Sequence, residues 1–362
     1  MTDARKDAFV VSGLSAISAV GHSAAISYTS IRAGLSRLGE SPELKIRDAK
    51  GKLMIVTCAA VSGIVDGQRR YLRHYRLAVR ALAEALAHAK LDGQLLGEAE
   101  LFLAVAEPDR PGMDDRVLTQ LVPKMCTTLG LADLSPRTTV LQAGHAGIFT
   151  AVQAAAQRIA SGHCQRAIIG AVDGYLDELT LTWLHDTGRL KTEDNPKGFV
   201  PGEASAFLVI EQLSTATARR GRALARLTGV GTTTEAANMY EKTPCAGVGL
   251  TDAIRAALAH ADAATPLALV VCDLNGERYR ANEWGMALTR GFGKTAPPLL
   301  WHPADCLGDC GAAAGALNLV FSTLALARHN VPEGDVMVWG SSDDGERGAA
   351  LLATITGFGQ RH

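Results

Sequence analysis

An excess of charge of either sign is missing from this chain. Thirty-six Lys and Arg face thirty-seven Asp and Glu, a net charge of −1 over 362 residues. That balance excludes a nucleic-acid binder working by bulk charge, because there is no surplus of cations to displace counterions. Long hydrophobic runs are missing too: no window approaches the roughly 18 uninterrupted apolar residues of a membrane span. The opening MTDARKDAFVVSG has no apolar core of the secretory type, so the expected location is cytoplasmic. An even cysteine count is also lacking. Cys58, Cys126, Cys164, Cys245, Cys272, Cys306 and Cys310 sit mostly among apolar or small residues, which predicts buried free thiols and not a disulfide framework. What is present, 47% apolar and 20% charged residues, fits a well-packed globular protein of two domains or one large two-lobed one.

The pattern along the chain is α/β. Phe9 to Gly21 reads as an apolar strand and turn, Ser23 to Ala33 as a helix stopped at Gly34, and Tyr71 to Ala89 as a long Ala/Leu helix. Leu101 to Glu107 is an expected strand, Asp115 to Gly130 a helix and Thr138 to Leu141 a strand. AGHAG (143–147) then leads into a helix of apolar and small residues, the strand Arg166 to Gly170 and a turn at Asp173-Gly174. The same order returns later. GDCG (308–311) leads into AAAGALNLVFSTLALA, the strand Asp335 to Gly340 and a turn at Asp344-Gly345. A helix without a polar stripe must be buried on all sides. Two of them, each feeding a strand, predict a duplicated α/β unit with both helices between sheets. Between the copies lie expected strands at Gly198 to Glu211, Ala223 to Thr232 and Leu267 to Asp273, and a helix at Thr251 to Ala261.

These segments resemble, in order and over nearly the whole chain, a β-ketoacyl synthase of the thiolase superfamily. VSGLSAISAVG resembles the family's opening strand and turn. GFVPGEASAFLVIEQ is similar to its Gly-Phe-Val-x-Gly-Glu-Gly-Ala strand, and GDCGAAAGALNLVFSTLAL lies on its Gly-His-x-x-Gly-Ala-Ala-Gly helix. AAAQRIASGHCQRAIIGAVD resembles the helix and strand after the nucleophile. The resemblance implies a thiolase fold, with duplicated halves (1–212 with cap insertions, and 213–362) in a five-layer α-β-α-β-α sandwich.

The same resemblance implies a Cys nucleophile at a helix N-terminus, two His and a Lys, and this chain departs from that set. His145 stands where the Cys is expected; a one-residue shift would put Gly144 there, and no register supplies a Cys. Asn275 matches the first His, with Gly276, Glu277, Arg278, Tyr279, Asn282 and Glu283 following. Asp309 matches the second His and Ala304 the Lys. Asp343, Asp344, Gly345, Glu346, Arg347 and Gly348 replace the apolar Gly-Phe-Gly-Gly-Thr-Asn gate. Loss of a covalent nucleophile costs on the order of 10⁴- to 10⁶-fold in rate. An ionised Asp309 would repel an enolate instead of stabilising it.

Each residue also has a structural role open to it. Asp309 is placed to cap the apolar helix, His145 to hydrogen-bond Asp309 or Asn275 and to be kept neutral by a helix N-terminus, and Asn275 to act as a hydrogen-bonder. The cluster Asp343, Asp344, Glu346 and Arg347 is expected to be a solvated turn, or to line the old site or a partner surface. HPADCLGDC gathers His302, Asp305, Cys306, Asp309 and Cys310 in no zinc-like spacing, so neither a metal nor a cofactor is expected.

The resemblance therefore implies a catalytically degenerate, non-condensing partner, scaffold or adaptor of fatty acid or polyketide synthesis, akin to a chain-length factor. Gln142-Ala143-Gly144 resembles a motif of those subunits. Its expected assembly is a homodimer, or a heterodimer with a ketosynthase-like subunit, with acyl carrier protein as a further partner. Two alternatives stand beside it: remodelled acyl transfer or hydrolysis using His145 and Asp309, and a chaperone or adaptor unrelated to acyl chemistry.

Overall fold

Short apolar runs become strands wherever both of their faces find cover. The computed structural model describes residues 8–47, 51–259, 261–262, 265–292 and 298–355. In chain order its strands are β1 (Phe9–Ser18), β2 (Gly39–Arg47), β3 (Leu53–Cys58), β4 (Ala99–Val105), β5 (Thr138–Gln142) and β6 (Arg166–Gly174). They continue with β7 (Glu203–Gln212), β8 (Ala225–Thr234), β9 (Leu267–Cys272), β10 (Leu299–Trp301), β11 (Asp335–Ser341) and β12 (Glu346–Ala353).

Ten of them form one sheet in the order β10-β9-β11-β12-β8-β1-β7-β6-β4-β5, and β2 and β3 form a separate hairpin. The ten divide into two sets of five with the same plan. In β5-β4-β6-β7-β1 the first three strands are parallel and the last two antiparallel additions. In β10-β9-β11-β12-β8 the pattern repeats. The sets join where Phe9–Val11 of β1 pairs antiparallel with β8.

Two helices lie between the sets. Gly147–Ala160 and Ala312–Ala327 touch each other, and each touches strands of both sets. Fourteen of the sixteen residues of the second are buried, which is why it carries no polar stripe. Its small residues let backbones come close: a Cβ on Gly315 would lie 2.8 Å from the His145 carbonyl oxygen. Outside, helix Tyr71–Ala89 packs on β1 and β7, while Val248–Leu258 covers β8 and β12 and carries helix Arg278–Phe292. The five layers expected from the sequence are these.

Two local expectations change, and two elements are new. The helix expected over 115–130 is broken at Gln120 into Arg116–Thr119 and Leu121–Thr128. Asp173-Gly174 is not a turn but the end of β6, paired with Ala204 and Glu203 of β7. The hairpin β2–β3 and helix Arg278–Phe292 were not foreseen. The first is rich in charge and contains Pro42, and the second lies on residues read as a motif. All seven cysteines are free, six of them buried. No helix among the described residues is long and apolar enough to cross a membrane.

Candidate functional site

The duplicated plan brings the beginnings of the two central helices together. His145 sits in the short turn Gly144–Ala146 between β5 and helix Gly147–Ala160, with Gly144 at φ +49°. A Cβ on Gly144 would fall on the Glu107 carboxylate. The turn is tied down by Ser342, whose Oγ accepts from Ala146 N (2.9 Å) and donates to the Ala143 carbonyl (2.5 Å). Asp309 is fixed by its backbone. Its N–H donates to the Val200 carbonyl at 2.8 Å and its carbonyl accepts from Gly202 N at 2.7 Å.

The structure brings His145 and Asn275 each into contact with Asp309. His145 Nε2 lies 2.8 Å from Asp309 Oδ1, and Asn275 Nδ2 donates to Asp309 Oδ2 at 2.7 Å. Asp309 Oδ1 also accepts from Gly311 N at 2.8 Å. The cap on the central helix itself is different from the one expected. The N-cap residue is Gly311, and the Ala312 N–H is taken by Asp173 from the end of β6 at 2.9 Å. His145 has no exposed surface, and Asp309 is buried.

Around this trio the sequence had not foreseen a buried lattice of arginines. Arg280 donates to Asp273 (3.0 Å), to Asp343 (2.9 Å) and to the Ser341 carbonyl, and its Nη2 lies 3.4 Å from His145 Nδ1. Arg189 bridges Glu277 (2.7 and 2.9 Å) and Asp343 (2.6 and 3.2 Å). Arg347 grips Glu283 at 2.6 Å and the Tyr279 hydroxyl at 2.8 Å. Glu107 stands 3.9 Å from His145 Nδ1. The turn 343–347 is therefore not a solvated one: Asp343 and Arg347 are buried in the lattice and only Asp344 is exposed. A buried basic residue facing a buried acid is the one signal that could have revealed this, and burial is not legible in a lone Arg.

Electrostatics follow from the pairing. Burial alone would lower the His145 pKa, but Asp309 outweighs it and holds the ring up at about 10 despite the opposing Arg280. The expectation of a neutral imidazole at a helix N-terminus is thereby reversed: a full carboxylate at 2.8 Å outweighs a half-charge of dipole. Burial pushes the Asp309 carboxyl up, but His145 and Arg280 carry it well below the usual carboxylate range. Asp343, likewise desolvated, is brought down to about 2 by Arg189 and Arg280.

The site has little room. Ala304, in the position of the expected Lys, lines a cavity of about 10 Å³ with Asp273, Asp309 and Asn318, enough for one water-sized atom. The larger space, a groove of about 890 Å³, lies elsewhere, between the β2–β3 hairpin and Leu176–Leu181. Tyr175, unnoticed in the sequence, is buried near Asp309, Asp343 and Glu107, and its hydroxyl has no hydrogen-bond partner among the described residues.

Of the residues in HPADCLGDC, His302 pairs with Asp305 at 2.8 Å, and Cys310 donates only to backbone carbonyls. A different trio, Glu235, Cys245 and Glu283, has donor atoms within 4.8 Å of one another. Glu283 is already bound by Arg347 and by Ser341 Oγ at 2.7 Å, so a guanidinium supplies the positive charge there.

Comparisons with known proteins agree with this architecture. Residues 134–216 match the model of the β-ketoacyl synthase N-terminal domain. The chain is similar to 3-oxoacyl-[acyl-carrier-protein] synthase 2 of Mycobacterium bovis and of Mycobacterium tuberculosis. Each is 27% identical over 214 residues, which is 52% of this chain and only 50% of the relative. Among solved structures, a type II polyketide synthase acyl-carrier protein in complex with its ketosynthase superposes with a TM-score of 0.80 at 15% identity, covering 97% of this chain and 100% of that one. The ishigamide ketosynthase/chain length factor gives 0.77 at 20% identity with the same coverage. A Streptomyces albus oxazolomycin ketosynthase domain gives 0.79 at 16%, covering 97% and 76%. With its two five-strand sets and its paired central helices, the chain has the thiolase fold of these ketosynthase structures, and residues 134–216 carry a sequence likeness to the β-ketoacyl synthase N-terminal domain.

Proposed function

We propose that this chain is a non-condensing ketosynthase-like subunit, a scaffold or pairing partner in fatty acid or polyketide synthesis. The observation that carries the reading is the His145–Asp309 contact. Where the resemblance expects an exposed thiol, the side chain is an imidazole with no accessible surface, locked to a carboxylate at 2.8 Å. An acyl-carrier thioester cannot approach such a group unless the lattice of Arg189, Arg280 and Asp343 first opens. An ionised Asp309 at the second imidazole position opposes the negative charge that a condensation develops.

The partner is a ketosynthase-like chain, either a second copy or an active synthase. Strand β5 forms one edge of the ten-stranded sheet and leaves a row of backbone groups for pairing. One of the similar structures is a ketosynthase/chain length factor and another a ketosynthase with its acyl-carrier protein, which supports this class of assembly.

The second reading, hydrolysis or acyl transfer by the His145–Asp309 pair, rests on the same contact, and one experiment separates the two. The chain is incubated with acyl- and malonyl-carrier protein, alone and with a cognate active synthase, and followed by intact mass, product analysis and gel filtration. The first reading expects no adduct and no turnover alone, and a stable complex with the synthase. Turnover abolished by His145→Ala would replace it with the second.

A further inference from the structure

Helix Ala312–Ala327 is apolar or small almost throughout, yet it carries the amide of Asn318, 2% exposed. The Asn318 Nδ2 has no hydrogen-bond partner among the described residues. A buried donor left unpaired lowers stability, so an amide at this point in such a helix calls for a partner. Asn318 lines the small cavity of about 10 Å³ beside Ala304. Asp273, which follows β9 and is 3% exposed, lines the same cavity. Its Oδ2 accepts from Arg280 Nη1 at 3.0 Å and from Ser341 N at 2.8 Å, while its Oδ1 has no partner among the described residues. An unpaired donor and an unpaired acceptor, both buried, thus border one space.

The other polar groups of the wall are already engaged. Asp309 Oδ1 serves His145 and Gly311 N, and its Oδ2 serves Asn275. The Cys272 thiol donates to the Trp301 carbonyl at 3.6 Å. The Pro303 carbonyl accepts from Cys306 N and Leu307 N, and the Ala304 carbonyl from Gly308 N. A hard cation would want about six oxygen ligands, and Arg280 already brings positive charge to Asp273. A single water needs only roughly 10–15 Å³ and about two polar partners, one of which it accepts from and one of which it donates to.

We infer that Asn318 and Asp273 form a binding site for one buried water, which accepts from Asn318 Nδ2 and donates to Asp273 Oδ1. The water ties the central helix to the carboxylate that fixes Arg280, whose Nη2 lies 3.4 Å from His145 Nδ1. Asn318 is therefore a positioning residue for the buried cluster, acting through Asp273. Burial pushes the Asp273 carboxyl up against the pull of Arg280 and His145, and a donor on Oδ1 offsets part of that desolvation. None of this depends on whether the chain condenses anything.

The test is a high-resolution crystal structure of the whole chain and of Asn318→Leu, with urea unfolding of both. The parent should show one oxygen peak within hydrogen-bond distance of Asn318 Nδ2 and Asp273 Oδ1, and the variant none. Leucine expels the water and strands Asp273 Oδ1, so the folding equilibrium constant should fall about tenfold. In a dry cavity the same change replaces an unpaired amide by an apolar group in an apolar helix, and the constant should rise. The loss should shrink in an Asp273→Asn background, where the stranded oxygen carries no charge; a leucine that merely fits badly would cost the same in both backgrounds. A parent structure with an ordered wall and no peak, a peak ringed by about six oxygens as a cation would be, a rise in stability, or equal losses in the two backgrounds would each overturn the inference. If Asn318→Leu does not fold, the parent structure decides alone.

Discussion

His145 Nε2 and Asp309 Oδ1, 164 residues apart in the chain, meet at 2.8 Å where the two central helices begin. The pair has a pH signature. Asp309 holds His145 at about 10, above its unfolded value near 6.5. A raised basic group contributes stability that is complete below about pH 6.5 and is lost as pH climbs through about 10. Asp309 is shifted the other way, so its share is complete above about pH 4 and is lost as pH falls below it. Urea unfolding should therefore show stability declining from pH 7 to pH 10. Asp309→Asn should flatten that decline and lower stability at pH 6 by about 3–5 kcal/mol, the usual cost of leaving one member of a buried pair alone.

Arg280 and Arg158 offer a direct comparison between buried and exposed ion pairs. Arg280 is 1% exposed and serves Asp273 and Asp343 at once. Arg280→Met strands Asp273, leaves Asp343 to Arg189 alone, and is expected to cost about 3–5 kcal/mol in chemical denaturation. Arg158 pairs with Glu100 at the surface, and Arg158→Ala should leave the denaturation midpoint near that of the parent. Equal effects would mean that the buried lattice is not what holds the cluster.

The sequence made the scaffold legible and left the lattice hidden, for a physical reason. Ala312–Ala327 must be buried because no face of it is polar, and that can be read from composition alone. His145, Asn275 and Asp309 could be placed by resemblance because the duplicated plan fixes where helix beginnings fall. Arg189, Arg280 and Arg347 look like any surface arginine in sequence. What buries them is their meeting with Asp273, Glu277, Glu283 and Asp343, from residues 273–283 and the turn after β11, through pairings such as Arg189–Asp343 and Arg347–Glu283 that lie far apart in the chain. Asp309 misled in a second way: it sits at capping distance in sequence, but Asp173 reaches the Ala312 N–H from the other half of the molecule.

Gly144 should tolerate nothing larger. Its φ of +49° already disfavours a side chain by about 1–2 kcal/mol. A Cβ would also lie 1.8 Å from Glu107 Oε1, displacing the carboxylate that faces His145 Nδ1. Gly144→Ala should lower the melting temperature clearly. Gly93→Ala, where a Cβ meets open space at negative φ, should leave it unchanged or slightly higher.

Thiol reactivity gives a check on the packing. Cys58, Cys126 and Cys164 are buried and pushed up to about 11 by desolvation, while Cys245 is the half-exposed one of the seven. A disulfide reagent at pH 8 should find one fast thiol per native chain, removed by Cys245→Ser, and the remaining six only on unfolding.

Restoring the missing sulfur alone should not restore condensation. His145→Cys would place a thiol at a helix N-terminus, a setting that ordinarily lowers its pKa. Here, however, the Arg280 guanidinium beside residue 145 is already paired with Asp273 and Asp343, and the carboxylates of Asp309, Glu107 and Asp343 surround the position. Desolvation with Asp309 close by already drives Cys310, one residue further along the chain, well above the usual thiol range. The new thiol would be held protonated in the same way, and with no exposed surface at position 145 a carrier-bound thioester would have no line of attack. Intact mass after incubation with acyl-carrier protein should show no acyl adduct on His145→Cys. Adding Asp309→His should still give none while Arg189, Arg280 and Asp343 remain paired beside the site. An adduct on the single variant would mean that the lattice opens readily, and the non-condensing reading would then rest on the missing thiol alone.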